Sequence, residues 1–311
     1  MPKNAVTVVI PTRNRPQLVV GAVKSALAQS HPISEVIVVV DGADDSTVEA
    51  LERLGDPRVR CLVLPINGGA NNARNQGVTQ ASTEWVAFLD DDDEWLPEKI
   101  ERQLAIGTGY DIVSCRFSVR SSKGTLTWPR RLPSGNEKFG DYLFSRRSWF
   151  KGDATVTTSS LLVRKKLLDK TPLSTTLRRH QEADWIIRTT DDGARIAYAP
   201  ESLMIFNDDI GRTRISTSND WRASLEWIRR MKVYLSPRSY SGFVLTGVGA
   251  AASGQREWSA FVFLLREAFW GGRPTPLHLV LYFGMWAFPR SFRHTLRSFL
   301  WRSPQCEGSQ S

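Results

Sequence analysis

Five short runs rich in valine and isoleucine recur through the first 115 residues, and they constrain this chain more than any other feature. They are Val6–Ile10, Val36–Val40, Val59–Leu64, Trp85–Leu89 and Ile112–Cys115. Apolar, β-branched runs of this length suit strands buried on both faces. Between them lie stretches that predict helices: Leu18–Gln29, Ser46–Leu54, Ala70–Gln80 and Pro97–Ile106. The last begins with a proline, which a first helical turn tolerates. Strand and helix in alternation predict an α/β fold, a mostly parallel sheet flanked by helices. In such sheets ligands sit beyond the carboxyl ends of the strands. Here those ends are polar. The first run leads into Pro11-Thr12-Arg13-Asn14 and the second into Asp41-Gly42-Ala43-Asp44. The third is followed by Asn67-Gly68-Gly69 and then Arg74, and the fourth by Asp90-Asp91-Asp92-Asp93. One polar edge of this kind predicts a nucleotide pocket. No GxGxxG follows the first strand and no GxxxxGK[ST] occurs, which disfavours a dinucleotide cofactor and a P-loop.

The acidic cluster carries the sharpest chemistry. Four consecutive carboxylates repel one another. A hard divalent cation, manganese or magnesium, relieves that repulsion, bridges to phosphate oxygens and makes a diphosphate a better leaving group. The other reading is a solvated acidic turn, in which Asp93 and Glu94 favour the start of the next helix.

Charge narrows the partners. The total is +9, but residues 1–115 carry −6, 116–179 carry +11, 180–220 carry −4 and 221–311 carry +8. An acidic first segment disfavours nucleic acid as the partner. Three cysteines, Cys61, Cys115 and Cys306, cannot all pair, which predicts a reducing, cytoplasmic compartment. Arg13 arrives too early for a secretory signal, and the longest apolar run, Pro276–Pro289, falls short of a bilayer span.

Residues 116–179 are less regular: Trp128–Gly135 predicts a loop and Thr157–Val163 a strand, and Glu182–Thr189 then predicts a helix. The remainder, 219–311, is basic and predicts helices near 219–234, 237–252, 255–270 and 274–302. It holds six of the eleven tryptophans. Arg290, Arg293, Arg297 and Arg302 alternate there with Phe292, Phe299 and Trp301. Arginines among aromatics suit an anionic membrane surface. They also suit a helical bundle with a solvated basic rim.

The runs VTVVIPTRNRP, VIVVVDGADDST, NGGANNARNQG and WVAFLDDDDEWLPEKI, in this order, resemble an inverting family 2 glycosyltransferase with the GT-A fold. The resemblance covers residues 5–215. It implies a catalytic domain over 1–218, with a nucleotide-binding half (1–115) and an acceptor half (116–218), followed by the helical region 219–311. It implies metal-dependent transfer of a sugar from a nucleotide-diphosphate sugar, a UDP-sugar foremost, to a hydroxyl of a glycan or lipid-linked acceptor. The setting would be cell-envelope or exopolysaccharide synthesis, in the cytoplasm or peripherally at the inner face of the cell membrane.

The same resemblance implies roles for individual residues. Pro11 and Thr12 border the nucleobase, with Arg13 and Asn14 next to them. Asp41 bonds the uracil ring, and Val40 stands where the family usually has a second Asp. Asn67 and Gly68 line the donor pocket, and Arg74 reaches the base or the phosphates. Asp90-Asp91-Asp92 matches the DXD motif, with Asp90 at the ribose and Asp92 or Asp93 on the metal. The stretch HQEADWIIR resembles the family's later acidic motif. Counting back from Arg188 selects Glu182 as the catalytic base, a Glu where an Asp is usual, with Asp184 as the other candidate. On a helix these two lie about 200° apart, so only one can face the sugar. Simpler roles also fit: Asp41 as a helix cap, Asn67–Gly69 as a tight turn, Arg74 as a surface residue. Two other functions stay open, a non-catalytic sugar-nucleotide or nucleic-acid binding module and a sugar nucleotidyltransferase. The latter lacks its glycine-rich triphosphate loop here.

Overall fold

The computed structural model describes residues 4–121, 124–135, 137–149, 153–207 and 220–288. Arg290 to Arg302 and Cys306 lie outside them. The chain forms two compact units, Met1–Leu143 with Phe150–Ser216, and Phe144–Trp149 with Thr217–Ser311.

Among the described residues of the first unit, nine strands form one sheet. They are β1 (Val6–Thr12), β2 (Glu35–Val40), β3 (Val59–Val63), β4 (Trp85–Phe88), β5 (Glu94–Trp95), β6 (Ile112–Ser121), β7 (Gly124–Trp128), β8 (Leu162–Arg164) and β9 (Ile196–Asn207). The order is β3-β2-β1-β4-β8-β6-β9-β5, with β7 paired to β6. The helices are α1 (Pro16–Leu27), α2 (Asp45–Glu52), α3 (Ala70–Gln80), α4 (Lys99–Ile106), α5 (Phe139–Phe144), α6 (Lys165–Lys170) and α7 (Gln181–Asp191).

The valine runs explain why helices cover both faces. Side chains alternate along a strand. Val6, Val8 and Ile10 of β1 and Val36, Val38 and Val40 of β2 share one core with Val19, Ala22, Val23 and Ala26 of α1. Val9 and Val39 point the other way, toward α3. That approach is close enough to demand glycine: a Cβ on Gly77 would lie 2.4 Å from Val9 Cγ1 and 3.2 Å from Val39 Cγ2.

The sheet is parallel from β3 to β4 and mixed beyond. β8 runs antiparallel to β4 and β6, and β6 is parallel to β9. The predicted strand Thr157–Val163 is in part a 3₁₀ turn, Thr158–Ser160, which leads into β8. The twelve-residue β9 was not predicted, because Pro200 interrupts its pattern. Cys115 pairs with Ala199 and Arg116 with Ser202, so Pro200 and Glu201 sit in a break of the register. A proline, having no donor, is tolerated at such a break.

The second unit is helical over its described residues: α8 (Trp221–Met231), α9 (Pro237–Phe243), a π-helical stretch (Val244–Val248), α10 (Gly249–Gly254), α11 (Ser259–Gly271) and α12 (Pro276–Ala287); the helix predicted near 274–302 stops at Ala287, with Phe288 extended, and its remainder lies outside the described residues. Phe261 stacks on Tyr282 at 5.4 Å, and the Tyr282 hydroxyl donates to the Phe261 carbonyl at 2.7 Å. Among the described residues no helix is long and apolar enough to cross a membrane.

Gly77→Ala is expected to destabilise the first unit by about 1–3 kcal/mol through overpacking against Val9. Urea unfolding followed by fluorescence checks this, and an unchanged midpoint would contradict the packing described.

Candidate active site at the strand ends

β4 stops at Phe88, and the chain then carries four carboxylates through a tight turn closed by the Asp93 N–H donating to the Asp90 carbonyl at 3.1 Å. Each carboxylate has a protein partner. Asp90 pairs with Arg74 Nη2 at 2.5 Å. Asp91, buried, accepts the Thr12 hydroxyl at 2.7 Å and Arg15 Nη1 at 2.9 Å. Arg15 also reaches Asp92 at 3.4 Å. Asp93, buried, accepts the Ser159 hydroxyl at 2.6 Å. The turn is pinned further by Asn207 Nδ2, which donates to the Asp92 carbonyl at 3.0 Å.

Arg74 is no surface residue; it is buried on α3. Its Nη1 donates to Asn71 Oδ1 at 2.8 Å. Burial would lower its pKa, but Asp90 and then Glu182 outweigh burial and hold the guanidinium charged. One buried cation therefore feels both the β4 turn and the start of α7. A buried charge of this kind is tolerable only when paired.

At the end of β2, Asp41 is buried and receives two backbone donors, Gly68 N–H and Gly69 N–H, each at 2.8 Å. It therefore shapes the Asn67–Gly69 loop. The helix cap that Asp41 could have supplied falls to Asp44, which accepts the Thr47 N–H at 3.2 Å. Asp44 also accepts the Asn14 N–H at 2.7 Å, and this holds Asn14 at a left-handed φ of 53°. Pro11 and Thr12 are buried, whereas Arg13, Asn14 and Asn67 are exposed.

Glu182 and Asp184 part company on α7. Glu182 accepts the Thr158 hydroxyl at 2.7 Å. Asp184 is buried and paired with Arg188, 2.9 Å from Nε and 2.8 Å from Nη2. Glu182 thus joins the group around Arg74, and Asp184 serves its own helix. His180 precedes α7; burial and the neighbouring Arg179 push its pKa down to about 4, so it is neutral near pH 7 and brings no charge to a phosphate.

The oxygens available to a hard cation lie on Asp90 and Asp92, whose side chains are 28% and 23% exposed. Asp93 is turned inward to Ser159, so of the two residues expected on the metal Asp92 has the suitable aspect. Among the described residues no three His, Cys, Asp or Glu side chains form a metal cluster. A cation here would draw further oxygens from a bound phosphate. Sequence reasoning missed Arg15, Thr158 and Ser159. Arg15 sits within the first polar ending and could have been read as a partner for acid; Thr158 and Ser159 carry no local signal, since only the antiparallel pairing of β8 brings them here.

Comparison with known proteins bears on the family and the fold. The family model described as "Glycosyl transferase family 2" matches residues 7–171. The Bacillus subtilis protein named "Putative teichuronic acid biosynthesis glycosyltransferase TuaG" is 39% identical over 118 residues, which are 37% of this chain and 46% of that protein. The chain thus spans less than half the length of that relative. Among solved structures, S. aureus TarS 1–349 in complex with UDP-GlcNAc aligns with a TM-score of 0.60 at 17% identity, covering 94% of this chain and 92% of that one. The mannosyltransferase PcManGT of Pyrobaculum calidifontis, in complex with GDP-Man and Mn2+, aligns at 0.59 and 16%, covering 94% and 83%. These likenesses establish the fold.

Burial lifts the Asp91 carboxyl above its ordinary 3.8, against the opposing pull of Thr12 and Arg15. A carboxyl raised in this way holds its proton more tightly folded than unfolded, so the stability it contributes is present below the unfolded pKa and is lost as pH rises through the folded one. Asp91→Asn is therefore expected to raise the melting temperature at neutral pH and to lose that advantage as pH falls toward about 4. Calorimetry at both pH values measures this. A variant that melts below the parent at neutral pH would contradict it.

Proposed function

The chain belongs to glycosyl transferase family 2, and from that membership we propose that it transfers a sugar from a nucleotide-diphosphate sugar, a UDP-sugar foremost, to a hydroxyl of a glycan or lipid-linked acceptor. The observation that carries the reading is the buried Arg74 between Asp90 and Glu182. It joins the β4 turn to Glu182, which bonds Thr158 outside its own helix, whereas Asp184 pairs with Arg188 of the same helix.

The donor's diphosphate would lie along the strand-end edge, with Pro11, Thr12, Arg13 and Asn14 near the base and Asp41 behind the Asn67–Gly69 loop. Asp41's two oxygens keep lone pairs beyond those given to Gly68 and Gly69, enough for a uracil N–H. Asp90 would meet the ribose, with Asp91 buried behind it and tied to Arg15. Asp92 would hold a manganese or magnesium ion, which when bound neutralises charge developing on the departing diphosphate. Glu182 takes the proton from the acceptor hydroxyl. The freed oxygen bonds to the anomeric carbon as the carbon–phosphate-oxygen bond breaks on the opposite side, and the configuration inverts. A general base within hydrogen-bond reach of the attacking hydroxyl contributes about 10²- to 10⁴-fold.

The second unit suits a lipid surface. Residues 221–288 hold eight Lys or Arg against three acidic residues. On α11, Trp270 is 82% exposed beside Phe269 and Val262, and the Arg266 guanidinium lies 5.3 Å from the Trp270 ring. On α12, Val280 and Phe283 are exposed as well. Aromatic and aliphatic side chains would enter the headgroup layer while arginines meet anionic lipid. This supports an acceptor carried in the cell membrane and an enzyme working peripherally at its inner face.

Two measurements follow. Glu182→Gln is expected to lower kcat by about 100-fold or more with donor KM little changed, read from the nucleoside diphosphate released with the best donor of a panel of UDP-, GDP- and dTDP-sugars. Turnover equal to the parent would remove Glu182 as the base. Phe269→Ser with Trp270→Ser is expected to weaken cosedimentation with phosphatidylglycerol-containing liposomes, and unchanged binding would end the membrane reading.

A further inference from the structure

Thr158, Ser159 and Ser160 form a single 3₁₀ turn, and all three are buried. Their hydroxyls diverge. Thr158 donates to Glu182 Oε1 at 2.7 Å. Ser159 donates to Asp93 Oδ2 at 2.6 Å and accepts the Asp90 N–H at 3.0 Å. Ser160 donates to the Thr157 carbonyl at 2.7 Å and lies 2.9 Å from the Ser114 hydroxyl on β6. The backbone of the turn is held just as firmly. The Ser159 carbonyl accepts Trp95 Nε1 at 2.9 Å, and the Ser160 carbonyl accepts Gln103 Nε2 at 2.8 Å. Two adjacent residues thus hold Glu182, on the acceptor side, and the acidic turn, on the donor side, the latter through the Asp93 carboxylate and the Asp90 N–H.

We infer that Thr158 and Ser159 are positioning residues that fix the separation between the β4 acidic turn and Glu182, and that Thr158 fixes which oxygen of Glu182 receives the acceptor's proton. The inference rests on the reading of Glu182 as the base. Three points support it. Among the described residues Glu182 makes no other side-chain hydrogen bond, so Thr158 occupies Oε1 and leaves Oε2 open. The turn cannot drift, because β8 follows it directly in antiparallel register with β4, Ala87 opposite Leu162. The partners are also specific to each residue: a hydroxyl at 158 reaches α7, and one at 159 reaches the β4 turn. A misplacement of about 1 Å in a reacting group costs about 100-fold in rate, so a single hydrogen bond at this place has leverage.

The test uses the full chain with Thr158→Val, Thr158→Ala, Thr158→Ser and Glu182→Gln, measuring kcat, donor KM and melting temperature. Valine keeps the volume of threonine and removes its hydroxyl. Thr158→Val is expected to lower kcat about 10- to 100-fold with donor KM within about twofold of the parent, and Thr158→Ser to restore most of the rate. If the valine variant does not fold, Thr158→Ala carries the same expectation. A rate equal to the parent in the valine or alanine variant, while Glu182→Gln is inactive, overturns the inference and leaves the base in place. So does a parallel loss of kcat, donor affinity and melting temperature that serine does not rescue. An active Glu182→Gln instead removes the base, and the inference with it.

Discussion

Crowded negative charge at the end of β4 sets the terms for the rest of the first unit. Four carboxylates in sequence cannot all be buried bare, because each would carry a desolvation cost and repel its neighbours. The fold answers by drawing partners from distant parts of the chain. Arg74 comes from α3, Arg15 and Thr12 from the end of β1, Ser159 from the turn before β8, and Asn207 from the end of β9. The acidic turn is therefore also the place where both halves of the sheet meet. Its arrangement leaves Asp90 and Asp92 partly exposed and seals Asp91 and Asp93. That division is what chemistry at such an edge requires: some carboxylates hold the scaffold so that others can face a ligand.

Much of this was legible in the amino-acid sequence, for identifiable reasons. β1 and β2 are nearly continuous Val/Ile runs, which have few ways to be buried other than as interior strands, and β4 is apolar throughout; β3, expected to be buried on both faces, instead carries Arg60 and Cys61 and lies partly exposed at the edge of the sheet. Their polar endings then fall on one edge by topology alone. Glu182 and Asp184 were separable in principle by helical periodicity, and their partners, Thr158 and Arg188, divide them accordingly. What was hidden depended on long-range pairing. β9 is broken by Pro200 and finds its partner β6 more than 80 residues away. The turn Thr158–Ser160 reads like any polar stretch until β8 is laid against β4. Asp41 shows a third kind of difficulty. Its carboxylate was expected at a nucleobase, whereas in the structure it organises the Asn67–Gly69 loop. The same side chain can serve both uses only because a carboxylate has more acceptor sites than two backbone amides consume.

The helical unit follows different physics. Aromatic rings around Phe261, Tyr282 and Trp286 pack together within it, while rings of the same kind remain outside on α11 and α12. Exposed tryptophan and phenylalanine are costly in water unless something covers them. Basic residues beside them favour an anionic cover over a neutral one. On the reading proposed above that cover is a lipid surface, which would suit an acceptor itself tethered in lipid.

Every role proposed for the strand-end edge depends on its holding a diphosphate with the help of a cation. Isothermal titration of UDP, with manganese and then with the metal chelated, tests it most directly in the parent protein and in Asp92→Asn. Binding that requires manganese in the parent and is lost in the variant is the predicted result. UDP affinity that is the same with and without the ion, or the same after Asp92 is neutralised, would contradict it.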